Sequence, residues 1–566
     1  MYQMECPEVF YTYQWATAVQ CTYRSSLVPF LVLAYEADTL VGVVALATDP
    51  GDHTASFLAA TTADYCDFLS HPSHREPLVQ AAFSELRKAR IEKMELANLP
   101  ADSATPRAIR SAATKHGYRV FLRSAYLCAQ VQLGSGERRE DLKNGLLHKK
   151  MFRRNFKALG TQGVVSVVHL RSWDEIEEVL PKYSAAHVAR FLATGRISNL
   201  VKADRRLFLH QLARSLSAAG WMTLTCLMVG DQPIAWNYGF QFGGSWFWYQ
   251  PTFDSEQEQY SPGYCLLLKI ITEACDDSEM AIVDLGLGAE GYKERLANGT
   301  LPTLHGTVTR SLGPFVVAFA RYWLAQAVKL SPRLESGIRT GLRRFDSARR
   351  RLRQGGPMGF LAWGTHRLSS LVWSRREVFF YQWATDGQAS GQDARTSAMR
   401  LMPLSLEILA TAAMQFEGET ETYTYLLRAA HRLRADEGRG FALFDEKGVP
   451  VHFCWASAFE GFYMDELKIR LSSPSPNAAL IFDCWTPGPV RGHGYYGVAV
   501  TLMAKELERE GRAPWIFSAA ANQRSIRGLK KVGFQRRYSM ILQRTLMMRR
   551  VTNRPWRLRA WRRRSA

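Results

Sequence analysis

Between Asp483 and Tyr496 the chain sets an acid, a thiol, glycines, a histidine and two tyrosines just ahead of a helix. The apolar run ALIFDCW leads into Thr486-Pro487-Gly488-Pro489-Val490, then Arg491-Gly492-His493-Gly494-Tyr495-Tyr496, then the helical pattern VAVTLMAKELERE. Glycines at the mouth of a helix let successive backbone amides crowd around one anion, and the helix dipole adds partial positive charge. A pyrophosphate would sit there. The loop is neither GxxxxGK[ST] nor GxGxxG, so it does not read as an NTPase or dinucleotide site. A glycine-rich turn without a ligand is the plain alternative.

Some thirty residues on come Asn522-Gln523-Arg524-Ser525 and Lys531-Val532-Gly533-Phe534. Strand, R-G-x-G-x-x, helix, strand, N-x-x-S and K-x-G-F in this order resemble the GCN5-related N-acetyltransferase (GNAT) superfamily. The resemblance implies acyl-coenzyme A, acetyl-CoA in the simplest case, lying between two splayed central strands. Its pyrophosphate would rest on the amides of Val490, Arg491, Gly492, His493, Gly494 and Tyr495. Asn522 and Ser525 match positions lining the pantetheine or phosphate side; as residues they are equally good helix caps. The implied reaction is direct attack of an acceptor on the thioester carbonyl, which needs an orienting cleft, a base and an acid. Asp483 is the candidate base, with a plain strand-end carboxylate as the alternative. The tyrosine many members use as thiol acid is Leu529 here, which leaves Tyr496, Tyr495 and His493 as candidates. Cys484 reads as core rather than nucleophile.

A second constellation runs from the basic helix Lys149–Asn155 through Tyr260-Ser261-Pro262-Gly263 to Asp284-Leu285-Gly286-Leu287-Gly288-Ala289-Glu290-Gly291-Tyr292-Lys293. Residues 140–310 resemble the acetyltransferase domain of cellulose-biosynthesis-type and exopolysaccharide-cluster proteins, related to the Fem-type peptidyltransferases. Ser261 and Gly263 give its helix an anion mount. Asp284 and Lys293 are a candidate catalytic pair or a salt bridge, with Glu290 and Tyr292 nearby, and Trp246, Trp248 and Tyr249 alternate along one strand, so that some pack the core while one face could stack on a sugar ring. Residues 1–135 resemble the degenerate half that precedes such a domain. They keep Lys115-His116-Gly117-Tyr118 but have no glycine at His71-Pro72-Ser73-His74, so a scaffold without pyrophosphate binding is expected.

The elements that must hold these residues repeat. Hairpins at 30–47, 222–242 and 440–459 are each followed by a strand, a loop and helix, and a closing strand and helix. The expected fold is α/β with mixed sheet: three GNAT-like units of one topology, two in an N-terminal tandem and one C-terminal, joined by basic amphipathic helices. The boundaries read as 1–138, 139–312, a linker 313–377 ended by Gly355-Gly356-Pro357, 378–548, and an Arg-rich tail 549–566.

At 566 residues, with 47% hydrophobic and 22% charged residues, disordered and disulfide-stapled classes are excluded. Nine scattered cysteines without a CxxC argue against disulfides and against a metal site. The net charge of +20 lies wholly in two stretches, +11 from Arg321 to Arg376 and +9 from Arg544 to Ala566. The rest is neutral, so broad nucleic-acid surfaces are not expected. The linker helices read as docked on a domain or lying on an anionic membrane. No run of residues is apolar enough to span a bilayer, and MYQMECPEVFYTYQW carries no secretory signal pattern. A cytoplasmic acyltransferase is expected, peripheral at the inner membrane face under the second linker reading. It would move an acyl group from acyl-CoA or an acyl carrier protein to an amine or hydroxyl of a sugar, lipid or amino-acid precursor in polysaccharide or envelope synthesis. The competing readings are a Fem-type transferase using aminoacyl-tRNA and a non-catalytic scaffold at a membrane synthase.

Overall fold

The computed structural model describes residues 8–49, 51, 53–288, 290–329, 373–384, 399–545 and 548–555. The chain divides into two compact lobes, Met1–Arg190 with Lys202–Ser331, and Phe191–Val201 with Pro332–Ala566. The N-terminal lobe is built on one 12-stranded sheet and the C-terminal lobe on one of eight.

One succession of pairings occurs three times. The three hairpins form as their turn chemistry predicts: Val28–Glu36 with Thr39–Thr48, Met222–Val229 with Gln232–Phe242, and Arg439–Phe444 with Pro450–Ala458. An antiparallel strand follows each, Thr54–Phe57, Ser245–Phe253 and Ala478–Trp485. The next strand is parallel to it: Lys93–Pro100, Ile282–Asp284 and Ala513–Ala519. Parallel neighbours need a crossover, and a helix supplies it each time, Arg75–Lys88, Pro262–Asp276 and Tyr495–Arg509. A further antiparallel pair then closes the repeat.

That closing pair is where the structure departs from three separate units. The first repeat ends in Arg119–Gln132 and the second in Gly299–Thr309, and these pair with each other along their length. Gly299–Thr309 inserts beside Lys93–Pro100 of the first repeat, and Arg119–Gln132 beside Ile282–Asp284 of the second. Each repeat thus completes the other, and a boundary at 138 cuts a single sheet. In the third repeat the inserted strand is Trp373–Trp383, between Ala513–Ala519 and Phe534–Thr545. It begins inside the stretch assigned to the linker. Met548–Pro555, assigned to the tail from residue 549 on, is an edge strand on Phe534–Thr545.

Of the linker, helix Leu312–Lys329 is described; the Gly355-Gly356 end falls outside the described residues, as do 556–566 of the tail. No described helix is long and apolar enough to cross a membrane. All eight described cysteines are unpaired.

Candidate active site

In the third repeat the two parallel strands are in register only over Ala478–Ala513, Ala479–Pro514, Leu480–Trp515 and Ile481–Ile516. Beyond that they separate. Phe517 to Ala519 stay on Val378 to Phe380, while Phe482 and Trp485 stay on Trp455 and Phe453. The cause is a bulge. Three steps from Phe482 to Trp485 oppose two from Trp455 to Phe453, and Asp483 inside the bulge takes φ +45°. An extra residue bends its strand away from the straight one. The opening leads into a cavity of about 810 Å³, of the size that takes a cofactor-sized ligand.

The glycine loop forms the rim of this cavity. Gly492 and Gly494 have φ of +91° and +81°, which only glycine adopts freely, and a Cβ at either would meet nothing within 4 Å. The helix ladder starts with Gly497 donating to the Gly494 carbonyl at 3.0 Å, which leaves the amides of residues 492–496 ahead of it. Val490, Arg491, Gly492, Gly494, Tyr495, Tyr496, Asn522 and Ser525 all line the cavity. His493 does not; its ring lies 3.1 Å from the Val490 carbonyl and stacks on Tyr495. Asn522 accepts from the Ser525 amide at 3.2 Å, so it caps the helix Gln523–Lys531 while standing at the wall.

One expectation is corrected by the side chains, and one choice is narrowed. Asp483 reaches the cavity, but its carboxylate lies 3.1 Å from Arg428 and 2.6 Å from Arg432. Both oxygens are engaged by guanidinium groups, so neither is turned toward an acceptor. Leu529 is fully buried in the core, whereas the Tyr496 hydroxyl is 2.8 Å from Ser525 Oγ. Burial raises the Tyr496 pKa, which keeps the phenol protonated and able to donate. Burial also pushes the Cys484 thiol well up, against a nucleophilic role. His452 went unnoticed in the sequence because a lone histidine in PVHFCWASA reads as core. It is buried on the cavity wall with Nδ1 2.7 Å from Thr486 Oγ, and burial holds its pKa down to about 3, so it is neutral.

The second repeat parts in the same way. Parallel pairing stops at Phe247–Asp284, and Ser245–Phe253 bulges at once, three steps from Phe247 to Gln250 opposing two from Phe240 to Tyr238. The bulge breaks the alternation of Trp246, Trp248 and Tyr249. Both tryptophans join one core cluster, and Tyr249 packs among Phe10, Trp15 and Phe240. None presents a face to a sugar. Asp284 is 2% exposed, and its carboxylate accepts from Tyr65 Oη and Gln130 Nε2, each at 2.8 Å, and from the Gly286 amide. Lys293 instead donates to Glu290 at 2.7 Å and to the Leu287 carbonyl at 2.8 Å, so the expected pair is two separate networks. Tyr292 accepts from Trp248 Nε1. Ser261 turns the chain with φ +50° ahead of Pro262, and Gly263 packs under the Phe253 ring, 3.1 Å from where a Cβ would be. Ala289 lies outside the described residues.

Among the described residues the crossover helix of the first repeat is closed by an ion pair. Arg75, 3% exposed, donates to the Phe68 carbonyl and to Thr105 Oγ1 and sits 3.2 Å from the Asp67 carboxylate. Side chains fill the place a ligand would take.

The family model of the acetyltransferase (GNAT) domain matches residues 148–294. No curated protein matches the chain. Among solved structures, FemX has a TM-score of 0.40 at 9% identity, covering 56% of this chain and 96% of its own. The C-terminal domain of a putative lysylphosphatidylglycerol synthetase from Agrobacterium fabrum has 0.36 at 11%, covering 54% and 94%. A tandem GNAT protein from the clavulanic acid biosynthesis pathway has 0.31 at 13%, covering 51% and 86%.

Proposed function

With residues 148–294 forming a GNAT-type acetyltransferase domain, we propose that the protein transfers an acyl group from acyl-CoA to an amine or hydroxyl of a sugar, lipid or amino-acid precursor. The observation that carries the reading for the third repeat is the bulge-driven parting of Ala478–Trp485 from Ala513–Ala519 above the amide rim. A diphosphate fits that rim, because a helix N-terminus with open amides binds anions and Arg491 and Arg524 stand in the wall. The thioester would then point along the gap between the strands. The acceptor attacks the carbonyl, the C–S bond breaks, Tyr496 donates its proton to the departing sulfur, and the proton released by the acceptor passes through water to restore the phenol. Neutral His452 with Thr486 closes the inner wall without adding charge.

Calorimetry with acetyl-CoA tests the binding step. Tyr496→Phe keeps the ring and removes the donor; kcat is expected to fall roughly tenfold to 100-fold, the low end for general acids because a thiolate already leaves readily, with KM unchanged. A kcat equal to wild type would remove Tyr496 from the chemistry.

We further propose that the enzyme associates with an anionic membrane surface. Helix Leu312–Lys329 exposes Val316, Phe319, Trp323 and Leu324 and opens the +11 segment. Sedimentation with phosphatidylglycerol vesicles at low salt, reversed by 0.5 M salt and absent with phosphatidylcholine alone, is the expected outcome. Equal binding to both lipids would contradict it.

A further inference from the structure

Three carboxyl groups converge where the strands of the second repeat part, and only one belongs to the matched domain. Asp284 ends the parallel strand. Asp64 comes from the first repeat, in the loop after Thr54–Phe57, and Glu8 from the segment before the first helix. Asp64 stands against the 284–288 loop: its carboxylate takes the Leu287 amide, and a Cβ on Gly286 would fall 2.5 Å from its Oδ2. Glu8 is 9% and Asp284 2% exposed, whereas Asp64 keeps part of its surface open. Of the three it is the least enclosed. Structural reasons do not account for the group, since the three acids, two buried and Asp64 partly so, have Lys293 and Arg205 as the positive charges acting on Asp64, and these already bond Glu290, Leu287 and Tyr249. Unbalanced buried carboxyls are costly and cluster at functional sites.

We infer that Asp64, supplied by the first repeat, is the general base of acyl transfer in the second repeat's cleft, so that the catalytic centre is complete only when both repeats are present. The inference rests on the proposed acyltransferase reading of residues 148–294. In the step, a neutral acceptor amine or hydroxyl attacks the thioester carbonyl, the new C–N or C–O bond forms, and the C–S bond breaks. The acceptor proton passes to the Asp64 carboxylate, and the thiolate takes up that proton to leave as CoA thiol, which restores Asp64. Asp284, held by Tyr65 and Gln130, is a positioning residue: its charge lifts the affinity of Asp64 for a proton.

The groups facing Asp64 agree with this. Burial first and the Asp284 charge second raise its pKa to about 7, opposed by Lys293, the Leu287 amide and Arg205. Glu8 and Asp284 are themselves raised by burial, and the nearby Cys66, Cys128, Tyr65 and Tyr249 are all pushed up and stay neutral. A base whose pKa lies near the working pH is the effective one.

The test uses the full chain carrying Gly494→Asp, so that the third repeat's cleft is closed, with acetyl-CoA and water as acceptor because water has no titration in the range. Hydrolysis is expected to rise with pH through a midpoint near 7. Asp64→Asn should lower it about 100-fold and flatten the profile, while Asp64→Glu keeps a rising limb. Asp64→Asn should also raise the melting temperature at pH 8, with the gain shrinking toward pH 5. An Asn variant that keeps the rate and the limb overturns Asp64 while leaving the acyltransferase reading intact, and one that melts earlier at pH 8 shows a structural carboxylate instead. A parent that neither binds nor hydrolyses acetyl-CoA overturns both.

Discussion

Gly494→Asp should remove acetyl-CoA from the third repeat's cleft, lowering affinity roughly 1,000-fold, about 4 kcal/mol. Two effects add. A carboxylate at the rim repels the diphosphate, and it can accept from the amides the diphosphate would use; charge-assisted hydrogen bonds are worth roughly 1.5–3 kcal/mol each, so losing two accounts for the figure. The fold should survive, because the position has open space around a Cβ and aspartate tolerates φ near +81° better than most residues. Gly494→Ala separates strain from charge. It brings a backbone cost at least as large without the carboxylate, and should lose far less affinity. Calorimetry on the two variants decides the matter: an isotherm for Gly494→Asp that overlays the wild type excludes the loop from ligand binding, and equal losses for Ala and Asp would show that backbone strain, not anion recognition, is at work.

What could be read from the sequence was local. The hairpins follow from alternating apolar residues around turns such as Gly230-Asp231, where Gly230 has φ +57°. The rim follows from Gly492 and Gly494, whose conformations leave no other residue type comfortable there. The rest depends on partners distant in the chain. Nothing near Arg119–Gln132 or Gly299–Thr309 marks them as exchanged, since an inserted strand and a native closing strand bury the same kind of surface. The bulges at Asp483 and at Trp248-Tyr249 leave no local signature either, yet they open the clefts and turn an expected sugar-stacking face into core. Asp483 looked like a base because strand position alone was visible; the arginines that occupy it lie on the helix Thr420–Arg434, some fifty residues earlier. Asp64 has no local signature at all, because its burial, and after it the charge of Asp284 220 positions away, arise only in the fold.

Arg75→Ala should destabilise the N-terminal lobe by about 3–5 kcal/mol, the range for removing one partner of a buried ion pair. Arg75 and Asp67 side chains are 3% and 6% exposed, and the guanidinium also satisfies the Phe68 and Ser70 carbonyls and Thr105 Oγ1. Truncation leaves a carboxyl in a place that already disfavours its charge: burial raises the Asp67 pKa more than Arg75 lowers it. Without Arg75 the folded-state value rises further above the unfolded value of about 3.9. Such a group loses stability as pH rises from the unfolded pKa to the folded one, so the gap between variant and wild type should widen from pH 5 to pH 8. Asp67→Leu combined with Arg75→Met should recover much of the loss, because an apolar pair of similar volume does away with both desolvated charges. Because the first repeat shares its sheet with the second, a lobe that loosens here should also lose activity at the second cleft, and the double variant should regain it with stability. Melting curves of the three proteins at the two pH values are the measurement. A single variant as stable as wild type would mean that water enters the site and that the first crossover is not sealed by this pair.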